Sequence, residues 1–166
     1  MRNDPIVEYK QQVFFMLAFF FICLFKNNQM PYTFFVIVGP GDALLYSREF
    51  PETRVKEEKA TSLQLREFVM YAALDPAEES AWGTTKYPLG VIDKYESYYI
   101  SAYVTPSLLK LMMMQDDVPR DNVQPFFHEV HELVLRYILN PFTDLREKIE
   151  SKAFDEAVVR IMENHF

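Results

Sequence analysis

Tyr98-Tyr-Ile-Ser-Ala-Tyr-Val-Thr-Pro-Ser-Leu-Leu-Lys-Leu-Met-Met-Met-Gln115 is the stretch on which the fold turns. Tyr98, Ile100, Ala102 and Val104 alternate with Tyr99, Ser101, Tyr103 and Thr105, which is the period of a strand. Pro106 cannot donate to a ladder and marks a turn. Leu108 to Gln115 then returns as a second strand, with Leu109, Leu111 and Met113 on one face and Lys110, Met112 and Met114 on the other. Both faces carry large apolar groups. The sheet therefore needs cover on both sides, from helices or, on one side, from a partner. The methionine run reads as core at this spacing, ahead of the alternative of an adaptable binding surface.

Towards the N-terminus, Leu89–Tyr95 reads as a third strand. Tyr32–Val38 is short, β-branched and aromatic, a strand buried on both faces. Gly39-Pro-Gly-Asp42 is a turn by composition, and Ala43–Phe50 returns to complete a hairpin. Pro51 to Lys59 is charged and loop-like. Thr61 or Ser62 can cap a helix. Leu65, Phe68, Val69, Ala72 and Ala73 recur at the period of one buried stripe. Pro76 ends or kinks that helix at the preceding Asp75. A loop with Trp82, Gly83 and Pro88 follows.

Towards the C-terminus, Asp116 to Asp121 is a loop and Asn122 an N-cap, with Pro125 in the first turn. Phe126, Phe127, Val130, Leu133, Val134, Tyr137 and Ile138 form a long amphipathic stripe, stopped by Asn140-Pro141. Ser151 can cap a last helix with the stripe Phe154, Val158, Ile161 and Met162. The order is β-β-α-β-β-β-α-α, an α+β domain.

The chain has 166 residues, 49% hydrophobic and 16% aromatic, enough for one packed core. Four glycines and a single cysteine exclude collagen-like and disulfide-scaffold classes. The net charge is −7. Residues 1–30 carry Arg2, Lys10 and Lys26 against Asp4 and Glu8, which leaves the rest more negative still. Such a domain repels a phosphate backbone, so no nucleic-acid partner is expected, and no Lys/Arg cluster suits an anionic membrane. Val13–Phe25 is an unbroken, Phe-rich apolar run, shorter than the ~20 residues of a spanning helix. Signal-peptide and membrane-segment readings are both open. The favoured reading makes residues 1–29 an appendage or a misplaced start, with the ordered domain covering residues 30–166.

A search for chemistry returns little. In His128-Glu-Val-His131-Glu132 the histidines stand three apart, whereas zinc-protease helices place them four apart so that both meet one metal. His131 borders the apolar stripe and His128 faces solvent, so a surface pair is the favoured reading. Gly39–Asp42 lacks the Gly, Lys and Ser/Thr spacing of a phosphate loop. Cys23 lies in an apolar run with no His–carboxylate partner to activate it. No catalytic residue, metal site or cofactor is expected. Asp75 stands out. An acidic group at a helix C-terminus opposes the helix dipole, and such local misfits can mark functional positions. The residues alone favour a turn role over a binding role.

Several separated blocks carry a family resemblance. They are YTFFVIVG (32–39), the helix end AALD (72–75) followed by Trp82, VIDKY (91–95), ISAYVT (100–105), FHEVHEL (127–133), NPF (140–142) and SKAFD (151–155). In this order they resemble the sedlin family, small longin-type subunits of TRAPP vesicle-tethering complexes. The likeness covers residues 31–166. A sedlin-like paralogue shares NPF and AFD, but the AALD…W spacing and the ISAYVT strand favour sedlin proper. The chain departs from the family pattern at Asp42-Ala43-Leu44, at Glu150 where Arg is usual, and at the last four residues, which lack a basic pair.

The resemblance implies a longin-like, profilin-type fold: a five-stranded antiparallel sheet with one helix on one face and two on the other. It implies a non-catalytic adaptor whose partners are other TRAPP subunits and, indirectly, an early-secretory Rab GTPase. The complex would act in ER-to-Golgi transport. It would be cytoplasmic and peripheral at those membranes and the cis-Golgi, with only indirect membrane contact. The resemblance also places Asp75 at a functionally sensitive acidic position, raising its binding reading above the turn reading, and Trp82 is the second candidate partner-binding residue. A membrane-anchored longin trafficking protein, held by Val13–Phe25, is the alternative of a different class.

Overall fold

The computed structural model describes residues 32–50, 60–116, 118, 119, 121–144 and 146–166. The N-terminal appendage and the charged loop 51–59 lie outside these. Five strands form one antiparallel sheet: β1 (Thr33–Val38), β2 (Leu44–Phe50), β3 (Pro88–Tyr95), β4 (Tyr98–Val104) and β5 (Lys110–Gln115), in the order β2-β1-β5-β4-β3. The described residues also form four α-helices, one more than the sequence order anticipates: α1 (Ala60–Ala72), α2 (Leu74–Trp82), α3 (Val123–Ile138) and α4 (Lys152–His165).

β1 and β5 lie at the sheet centre and are buried along their whole lengths. Their continuous apolar runs are what burial on both faces demands. Pairing Phe35 with Met113 and Ser101 with Met113 puts these side chains on one face; Phe34, Met114 and Ile100 share the other. The methionines are fully buried, so the core reading holds. The hairpin turn is a short 3-10 segment, Pro40–Asp42, closed by a bond from Gly39 N–H to the Ala43 carbonyl (2.8 Å). Gly41 takes a positive φ (69°) there, which costs glycine nothing.

α1 and α2 cover one face. Val69, Met70, Ala73, Leu74 and Ala77 pack on Phe34, Val36, Val38, Ile100, Ala102, Val104, Met112 and Met114. α3 and α4 cover the other, where Phe126 meets Phe35 edge-to-face at 5.2 Å and Phe154 meets Tyr46 at 5.4 Å. The anticipated single helix on the first face is broken at Ala73. Pro76 has no N–H to give the Ala72 carbonyl, so the ladder skips a rung. Bonds from Ala73 to Val69 and from Ala77 to Ala73 continue on either side of the gap.

The three anticipated caps fare differently. Ser151 Oγ accepts from Phe154 N–H at 3.3 Å, as its position predicts. Asn122 makes no side-chain cap; its amide donates instead to the His165 carbonyl, tying the start of α3 to the end of α4. Thr61 and Ser62 do not precede a helix, since α1 already includes them.

The sheet edges differ. Along β2, Ile149 N–H bonds the Leu45 carbonyl (2.8 Å), so the segment leading into α4 lies beside that edge. Among the described residues β3 has β4 as its only strand neighbour, and its register shifts twice, between Pro88 and Gly90 and between Val91 and Asp93. Gly90 takes a positive φ (74°) inside the strand.

Candidate functional site

α1 carries apolar side chains on more than one face, and which stripe faces the sheet decides what is left for a partner. The sequence reading put Leu65, Phe68 and Ala72 inside with Val69 and Ala73. The structure turns the helix away from that. Val69, Met70 and Ala73 are buried, whereas Leu65 (48%), Phe68 (70%) and Ala72 are exposed. The physical cause is Arg66. It sits on the sheet side, 8% exposed, with its guanidinium 4.8 Å from the centre of the Tyr32 ring. Arg66 Nη1 also donates to the Tyr32 hydroxyl and lies 3.3 Å from Glu49 Oε1. A buried cation needs such partners, and it fixes the helix phase around them. Burial pushes the Tyr32 hydroxyl well above its usual pKa, against the opposing pull of Arg66.

Asp75 is exposed, but it does not lie at a helix C-terminus. The break at Ala73 starts a new helix, and Asp75 falls in the first turn of α2. There the dipole favours an acid. The misfit argument for Asp75 is thereby removed; its solvent position remains. Trp82 is the last residue of α2 and is 86% exposed. Asp75 and Trp82 stand seven residues apart on one helix, about 10 Å along its axis. Beside Trp82 runs a groove of about 270 Å³, lined by Ala81, Lys86, Tyr87, Val104 and Leu108 among others. The sequence placed Trp82 in a loop and gave no sign of this groove, because it forms between α2 and the β4–β5 turn.

Below the groove, the buried Lys110 of β5 bridges Asp42 of the hairpin turn (2.6 Å) and Glu78 of α2. Burial alone would pull the Lys110 pKa down. The two carboxylates outweigh it, and the net shift is up. α2 is thus pinned to the sheet end, and its outer residues are held in register with α1. Glu78 is therefore more than a solvated surface charge.

The histidines separate. His131 Nδ1 lies 3.3 Å from the Tyr103 hydroxyl, under α3, while exposed His128 Nε2 lies 3.5 Å from Glu132. Burial and the neighbouring His128 lower the His131 pKa. Among the described residues no group of three His, Cys, Asp or Glu is placed to hold a metal. No helix of the described residues is long and apolar enough to cross a membrane. Asp155, within the SKAFD block, accepts from Tyr46 Oη (2.7 Å) and from Arg48 Nη1 (2.8 and 2.6 Å), seating α4 on β2.

An open five-stranded antiparallel sheet covered by helices on both faces is the longin-like α+β architecture. Residues 37–164 match the family described as Sedlin, and the chain belongs to that family. It is 32% identical over 119 residues to the transport protein particle 20 kDa subunit of Schizosaccharomyces pombe, covering 72% of this chain and 88% of the relative. It is 32% identical over 125 residues to the probable trafficking protein particle complex subunit 2 of Caenorhabditis elegans, covering 74% and 88%. It is 26% identical over 133 residues to the trafficking protein particle complex subunit 2-like protein of Dictyostelium discoideum, covering 76% and 92%.

Proposed function

We propose that this chain is a non-catalytic adaptor subunit of a TRAPP vesicle-tethering complex. The observation that carries the reading is the near-complete, collinear likeness to particle subunits from fungus and worm, each spanned over 88% of its length. The exposed face of α1 and α2 supports it, since large apolar side chains left in water on a helix that already has a core suit a protein partner. The assembled complex would promote nucleotide exchange on an early-secretory Rab GTPase and act in ER-to-Golgi transport. The chain would lie at the cytoplasmic side of those membranes and the cis-Golgi through its partners. Asp75 and Trp82 are the residues assigned to partner binding.

An affinity-tagged chain purified under gentle lysis is expected to carry other small TRAPP subunits with it. The Asp75→Ala variant should fold normally by circular dichroism yet lose some of those partners. Recovery of the wild type as a lone monomer would overturn the reading. Retention of every partner by the variant would return Asp75 to a purely local role. Carbonate extraction tests the membrane-anchored alternative: release into the soluble fraction rules out integral insertion.

A further inference from the structure

On the solvent side of α1 and α2, six exposed residues recur at alternating spacings of three and four: Leu65, Phe68, Ala72, Asp75, Glu79 and Trp82. This is the spacing of a helix-packing seam. The break at Ala73 does not interrupt it, because Ala73 keeps right-handed helical angles (φ −80°, ψ −3°) and the phase carries across. The first half of the seam is apolar, the middle is acidic, and Trp82 closes it beside the groove. Between Gln64 and Trp82 the single cation is Arg66, and it is buried against the sheet with Tyr32 and Glu49. Glu67 adds to the negative field, while Glu78 is held by Lys110. The face is therefore apolar and of one charge sign.

We propose that this seam docks an amphipathic helix of a partner subunit whose apolar stripe carries Lys or Arg opposite Asp75 and Glu79. The inference rests on the subunit reading above and specifies the chemistry of the partner. Charge complementarity selects the occupant. An anionic bilayer would meet Asp75, Glu79 and Glu67 and be repelled. A second copy of the chain would bring four carboxylates, Asp75 and Glu79 twice over, into one seam. A basic amphipathic helix neutralises them and matches the seam's repeat, laying anchor residues on Leu65 and Phe68. The groove beside Trp82 takes the side chain at the end of that helix.

The test uses the full chain and two labelled three-heptad helical peptides. Both carry Leu along one stripe; one has Lys flanking it and the other Glu. Fluorescence anisotropy should show the Lys peptide binding about tenfold more tightly than the Glu peptide, a preference that fades at high salt. The Asp75→Lys/Glu79→Lys chain should invert the preference, and Phe68→Ala should weaken both peptides. Equal binding of the two peptides, no effect of Phe68→Ala, flotation with phosphatidylserine vesicles, or self-association that blocks the peptides would each overturn the proposal. Co-purification separates it from the subunit reading. If the charge-reversed chain retains every TRAPP subunit, the seam falls and the subunit reading stands; if the wild type recovers none, the subunit reading falls.

Discussion

Lys110 and His131 titrate in opposite senses, and each reports on a different face of the sheet. The raised pKa of Lys110 means its bridge to Asp42 and Glu78 is intact at neutral pH. Its contribution fades only as pH climbs above the ordinary lysine value of 10.5. His131 is held below its ordinary 6.5, so folding favours the neutral ring. The unfolded chain takes up this proton first as pH falls, so the contribution of His131 to stability falls as pH drops below 6.5. Tyr103 on β4 and His128 and Glu132 on α3 are the titratable groups facing the ring. The His131→Gln variant is expected to lose less urea-midpoint stability than the wild type between pH 7.5 and pH 5.5; parallel curves would reject the assignment.

At the scale of the element, α1 is the instructive case. Its sequence holds two stripes that both satisfy helical spacing. One runs through Leu65, Phe68 and Ala72; the other starts at Val69 and Met70 and continues past the break at Ala73 to Leu74 and Ala77 of α2. Hydrophobicity cannot choose between them. A buried cation chooses, and the partners that make Arg66 tolerable come from elsewhere in the chain, Tyr32 and Glu49. Asp75 was misplaced for a related reason: Pro76 signals a boundary, but only the structure shows a second helix beginning there. By contrast, β1, β4, β5 and the Ser151 cap were legible, because strand alternation and capping are local. Thermal denaturation should separate the stripes of α1. Phe68→Ala is expected to change stability by no more than about 0.5 kcal/mol. Met70→Ala should cost about 2–5 kcal/mol, since it empties a packed site. Equal losses would place both side chains in the core.

For the molecule as a whole, the two helical layers are attached by different means. α1 and α2 rest on apolar contact together with the Arg66 and Lys110 bridges. α4 depends on Asp155, whose carboxylate gathers Tyr46 and Arg48 from β2. Asp155→Ala should cost about 2 kcal/mol, the scale of charge-assisted bonds. Hydrogen exchange should show residues 152–165 opening more often while β1 and β5 stay protected. Uniform acceleration across the sheet would contradict this division. Glu150 is exposed just ahead of α4.

The two borders of the sheet bear on assembly. An unpaired strand is an invitation to polymerise, since any extended chain can add to it. Here one border is flanked by the run of chain entering α4 through Ile149, and the other is broken by Gly90 and two shifts of register. Growth by strand addition is discouraged on both sides. Among the described residues, the helical faces are then better placed than the sheet borders to meet a partner.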